Sequence, residues 1–142
     1  MVVTNFSHVG LTCKDPLAIE RFYTKYFGFK RARLVPMGEE QIVFIKSGNF
    51  YLELFRAKEV SPLPAPQNDG YDFSGLRHLA FEVENVDAKL AELGNSVRIM
   101  LGPADFSDFI PGWKGAWVCD PEGNIIEINQ GYVDEDNPAQ LP

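Results

Sequence analysis

Cysteine and histidine are both scarce, with two of each in 142 residues. Two cysteines cannot build the multi-bridge framework of a small secreted scaffold. Cys13 and Cys119 sit in strand-like stretches and read as reduced structural thiols. Basic charge is also short: 13 Lys plus Arg stand against 20 Asp plus Glu, a net charge of -7. An acidic surface repels phosphate backbones and anionic lipid, so neither nucleic acid nor a membrane is expected as a partner. No apolar run approaches the roughly 18 residues of a membrane span. The opening Met-Val-Val-Thr-Asn lacks the basic and apolar regions of a signal peptide, so a cytoplasmic protein is expected. What remains is 45% hydrophobic and 23% charged, ordinary material for one globular domain.

The chain repeats itself once. Residues 8 to 15 read His-Val-Gly-Leu-Thr-Cys-Lys-Asp and residues 78 to 85 read His-Leu-Ala-Phe-Glu-Val-Glu-Asn, the same pattern at an offset of 70. Each half continues with a helix. In the first, Asp15 is the N-cap, Pro16 takes the first helical position, and Ile19, Phe22, Tyr23, Tyr26 and Phe27 form an apolar stripe before Gly28. In the second, Asn85 caps a stripe of Val86, Leu90 and Leu93 that ends at Gly94. Strands are expected at 31 to 36, 40 to 46 and 50 to 56, then at 97 to 101, 114 to 119 and 124 to 130. Ser47-Gly48-Asn49 and Asp120-Pro121-Glu122-Gly123 supply the turns before the two last strands. The fold class is therefore α+β, with two tandem βαβββ modules at about 5–56 and 76–130. A proline-rich linker at about 57–75 joins them, and an acidic tail follows at 131–142.

Strand alternation places four ionisable residues in matching positions. Val9, Leu11 and Cys13 share a face that suits helix packing, and His8 falls on the other. Leu79, Phe81 and Val83 stand opposite His78, Leu52 and Leu54 opposite Glu53, and Ile126 and Ile128 opposite Glu127. A single strand histidine is commonly a satisfied polar residue, and a glutamate among leucines commonly faces water. Here both histidines of the chain fall in phase, each with a glutamate in the last strand of its half, 45 and 49 residues on. Two imidazoles and two carboxylates make a ligand set for a borderline divalent ion: Ni, Zn, Co, Fe or Mn. Four protein ligands on an octahedral ion leave positions open for substrate oxygens, where the ion polarises a carbonyl and stabilises an enediolate.

The stretches His8-Val-Gly-Leu-Thr, Phe22-Tyr-Thr-Lys-Tyr-Phe-Gly-Phe29, Gly75-Leu-Arg-His-Leu-Ala-Phe-Glu-Val83 and Asp120-Pro-Glu-Gly-Asn-Ile-Ile-Glu127 resemble the vicinal oxygen chelate superfamily. This group includes glyoxalase I, methylmalonyl-CoA epimerase, fosfomycin-resistance proteins, bleomycin-binding proteins and extradiol dioxygenases. The resemblance implies curved sheets forming a cup around one metal. His8, Glu53, His78 and Glu127 stand in the His, Glu, His, Glu order of bacterial glyoxalase I, which implies a metal-dependent lyase or isomerase working by proton abstraction on a small carbonyl substrate. Glu127 would be the ligand that leaves the metal to act as base, with Glu53 the second catalytic carboxylate. Bacterial glyoxalase I carries an Arg just after its first His and an Asn shortly after its second ligand, both holding glutathione. Val9-Gly10 and Phe55-Arg56-Ala57-Lys58 stand in their places, so the glutathione contacts have no counterpart here.

Two other functions stay open: an Fe(II) ring-cleaving oxygenase using a His, His, Glu triad, and a metal-free protein that binds an antibiotic or other ligand. Arg56 is a candidate for an anionic substrate group, and Phe106 and Trp113, in the aromatic stretch 106 to 114, are candidate pocket walls. A homodimer is expected, because open curved sheets close against a second copy.

Overall fold

Asp15 and Asn85 start the two helices of the computed structural model, which describes residues 2–142. The Asp15 carboxylate accepts from the Ala18 amide at 3.1 Å and opens α1 (Pro16–Phe27), and the Asn85 side chain accepts from the Ala88 amide at 2.8 Å and opens α2 (Val86–Leu93). Gly28 ends α1 with φ 69°, a left-handed backbone that any side chain would strain.

The chain forms two units, the first running to Pro64 and the second Ala65–Pro142. The first unit contains β1 (Val9–Cys13), α1, β2 (Lys30–Met37), β3 (Glu40–Ser47) and β4 (Phe50–Arg56). Its sheet has the order β1-β4-β3-β2, with β1 parallel to β4 and the rest antiparallel. The second unit contains β5 (Leu79–Glu82), α2, a 3-10 turn at Gly94–Ser96, β6 (Ile99–Asp105), β7 (Lys114–Cys119) and β8 (Ile125–Gln130). Its order, β5-β8-β7-β6, repeats the first, and neither sheet closes on itself. This is the expected pair of βαβββ modules.

The cores follow the alternation. In the first unit Val43, Ile45, Leu52 and Leu54 are buried on the same side as Ile19 and Tyr23 of α1. In the second, Val118, Ile126 and Ile128 are buried with Val86 and Leu93 of α2. Each fully buried side chain of this size contributes about 1.5–3 kcal/mol. Glu20, on the helix, is also buried, and the Arg31 guanidinium neutralises it with two bonds of 2.7 Å. That pairing holds the Arg31 proton more firmly than usual, chiefly through the hydrogen bond to Glu20.

Two boundaries differ from expectation. The strand expected at 97 to 101 runs from Ile99 to Asp105, through Gly102 and Pro103. Proline is tolerated there because β6 is an edge strand and its register shifts across those residues. The histidines also stand one residue before their strands, which begin at Val9 and Leu79.

The turn before β8 rests on Asp120, which is 3% exposed. Its carboxylate accepts from the amides of Glu122 and Asn124 and from the Asn124 side chain, at 2.9, 3.0 and 2.7 Å. Asp120→Ala is expected to lower stability by about 1–3 kcal/mol, because buried donors lose their acceptor. A fall in the urea midpoint at constant slope would show this, and an unchanged midpoint would refute it.

Candidate functional site

Parallel pairing of first and last strands brings each histidine to its glutamate. In the first unit Gly10 lies opposite Glu53, and in the second Ala80 lies opposite Glu127. These small partners leave space beside the carboxylates, and the histidine two residues earlier on the same face fills it. His8 Nε2 stands 2.9 Å from Glu53 Oε2, and His78 Nε2 stands 2.8 Å from Glu127 Oε2. The second pair is the more buried, with side-chain exposures of 17% and 9% against 36% and 17%.

The other ring nitrogens are also held. His78 Nδ1 is 2.7 Å from the Asp69 carbonyl oxygen. A carbonyl only accepts, so Nδ1 carries a proton, and in the neutral ring Nε2 presents a lone pair to Glu127. Two lone pairs at 2.8 Å repel, so this contact needs a proton or a metal cation between Nε2 and Oε2. Glu127 Oε1 accepts from Asn129 Nδ2 at 2.7 Å, which fixes the carboxylate plane. In the first unit His8 Nδ1 shares a 2.9 Å hydrogen bond with the Ser7 hydroxyl, and Phe44 lies edge-on to the His8 ring at 5.7 Å.

Each unit thus supplies two donors. Among the described residues no group of three or more His, Cys, Asp or Glu that could hold a metal ion is present. An imidazole nitrogen and a carboxylate oxygen are donors of the type that borderline divalent ions take, and each unit presents one such pair.

Phe106 and Trp113 come together, with ring centroids 5.1 Å apart. The loop between them is closed by Phe106 N–H donating to the Trp113 carbonyl at 2.8 Å. Asp105 anchors it, accepting from the Ser107 hydroxyl and amide, which hold its carboxyl below the usual carboxylate range. The rings continue to Trp117, 5.7 Å from Phe106 and 6.3 Å from His78. Trp117 lies directly across from Glu127, so this aromatic run ends at the His78 pair. The indole N–H groups of Trp113 and Trp117 are buried without a hydrogen-bond partner among the described residues. Arg56 is placed elsewhere. It shares a strand face with Leu52 and Leu54, opposite to Glu53, and bonds Glu40 at 2.9 Å and the Lys14 carbonyl at 2.8 Å.

Asp69, Asn129, Trp117 and Ser7 were not singled out by the sequence. Asn129 and Trp117 carry a signal that alternation reveals, since both share the face of Glu127. Asp69 carries none, because it acts through its backbone from within the linker.

The family model for the Glyoxalase/Bleomycin resistance protein/Dioxygenase superfamily matches residues 5–128. The chain belongs to this superfamily. It is similar to the uncharacterized protein YwkD of Bacillus subtilis (strain 168), with 25% identity over 131 residues, covering 90% of this chain and 98% of YwkD. Among solved structures, the glyoxalase family protein from Enterococcus faecalis superposes with a TM-score of 0.68 at 27% identity, over 91% of this chain and 99% of that one. A glyoxalase/dioxygenase from Nostoc punctiforme gives 0.69 at 25%, over 92% and 96%. The superfamily takes its name from enzymes and resistance proteins alike, so membership establishes the fold and leaves the reaction to the site.

Proposed function

We propose that the protein is a metal-dependent lyase or isomerase that moves a proton on a small carbonyl compound. His8, Glu53, His78 and Glu127 are its proposed metal ligands, two from each unit. The observation that carries this reading is the repeated His–Glu contact, at 2.9 and 2.8 Å, with the outer ring nitrogen engaged in both units. When bound, a divalent ion supplies Lewis-acid polarisation of the substrate carbonyl, which acidifies the neighbouring carbon. Glu127 takes the proton from that carbon and returns it at the adjacent position. Asn129 orients the carboxylate through Oε1, leaving Oε2 as the working oxygen. Trp117, Phe106 and Trp113 form an apolar flank beside this base and exclude water from it.

The test combines metal content with proton exchange. Purified protein loaded with Ni, Co or Zn is expected to retain the ion through dialysis. It should also catalyse solvent-deuterium incorporation beside the carbonyl of methylglyoxal thiol adducts or an acyl-CoA epimer. Retained iron with oxygen uptake on catechols would transfer the protein to the oxygenase class. A protein that holds no metal yet binds aromatic ligands would favour a binding function, which the aromatic run from Trp113 to His78 also suits.

A further inference from the structure

We propose a small-anion site in the first unit, formed by Lys30 and Lys46. The two lysines are directly opposite one another across the β2–β3 ladder, so their side chains leave the same face of the sheet. Opposed Cβ atoms stand about 4.5–5.5 Å apart, and like charges in such a pair are destabilising. Neighbouring acids normally offset that repulsion. Among the described residues neither lysine has an ion-pair partner, although the chain carries 20 carboxylate side chains. Arg31, the adjacent cation, is neutralised by Glu20 and its side chain belongs to the helix side. The pair is therefore an unbalanced double positive charge in a chain of net charge -7.

A ligand-sized space lies beside it. An open cavity of about 420 Å³ is lined by Lys30, Arg31, Ala32, Lys46 and Ser47 with Gly28 and Gly48, the Arg31 charge there being already met by Glu20. Ala32 is the residue left unpaired where the register shifts between Arg31 and Arg33, and this irregularity bends the strand around the cavity. The Lys46 ammonium is steadied over the Tyr51 ring, 5.1 Å from its centroid. Two lysines that line one space suit a phosphate or a carboxylate through charge-assisted hydrogen bonds. Tyr51 and Glu53 alternate with the buried Leu52 and Leu54, so Lys46, opposite Tyr51, shares the face of the His8–Glu53 pair. The occupant is a free anion or the anionic end of a small molecule laid along that face. Binding of the anion itself does not depend on a metal or on catalysis.

Calorimetric titration of the full chain, stripped of metal beforehand, tests this with inorganic phosphate and with acetate at constant ionic strength. Saturable binding is expected, with phosphate preferred if a phosphoryl group is the natural ligand and acetate if a carboxylate is. Lys30→Gln/Lys46→Gln should weaken it at least tenfold, while Lys58→Gln, an exposed charge elsewhere in the same unit, should leave it unchanged. Absence of saturable binding by either anion, equal binding by the double variant, or equal weakening by Lys58→Gln would overturn the site. Both lysines are exposed, so the double variant is expected to fold.

Discussion

Glu127→Gln is expected to lower turnover on an enolisable carbonyl substrate at least about a hundredfold, within the range of 10² to 10⁴ that general-base loss commonly costs. The local structure predicts that the variant folds normally. A glutamine at 127 presents one oxygen and one NH₂ where the carboxylate presented two acceptors. The oxygen accepts from Asn129 Nδ2, and the NH₂ donates to His78 Nε2, whose lone pair faces it in the neutral ring. Asp69 continues to hold Nδ1–H, so every partner stays satisfied without a positive charge. The change therefore removes the basic oxygen and weakens the metal pair while leaving stability nearly untouched. Thermal unfolding, metal content and solvent-deuterium exchange on the same preparation separate these effects. Glu53→Gln should be milder on rate, because that carboxylate is proposed to act as ligand and not as the working base. Equal and mild rate losses in both variants would show that neither carboxylate takes the proton.

The repeat was legible because the chain states the same signals twice, once in each module. Asp15 and Asn85 cap, Gly28 and Gly94 terminate, and Leu52, Leu54, Ile126 and Ile128 mark the buried face around Glu53 and Glu127. Strand alternation places each histidine on one face with the glutamate of its own half, and there the two side chains meet. Arg56, two residues along from Leu54, bonds Glu40 and the Lys14 carbonyl, contacts that its identity as a basic residue does not reveal. The contribution of Asp69 was not legible, because a backbone carbonyl leaves no trace in residue identity. It reaches His78 because Gly70 folds the linker back against Arg77. With φ 87°, Gly70 allows its Cα to approach the Arg77 carbonyl so closely that a Cβ would collide with it. A salt bridge of 2.7 Å between Arg77 and Asp69 locks that fold-back, so the linker, read as a plain connection, is part of the site.

His78→Ala and His8→Ala are both expected to weaken metal binding at least about a hundredfold, since loss of a direct ligand exceeds the 10–100-fold typical of outer partners. They should differ in stability. Removing His78 leaves Glu127, 7% exposed, without its 2.8 Å imidazole contact and held by Asn129 Nδ2. That loss is on the order of 2 kcal/mol, as for other hydrogen bonds to charged groups. Removing His8 exposes Glu53 to water that already reaches the pair, whose histidine side chain is 36% exposed. Its cost should stay under about 1 kcal/mol, as for exposed ion pairs. A divalent ion held by these donors should raise the wild-type urea midpoint and raise neither variant's as much, because binding to the native state alone stabilises it. Urea midpoints of both variants and the wild type, with and without Zn or Ni, measure this. Wild-type metal content in both variants would remove the histidines from the ligand set.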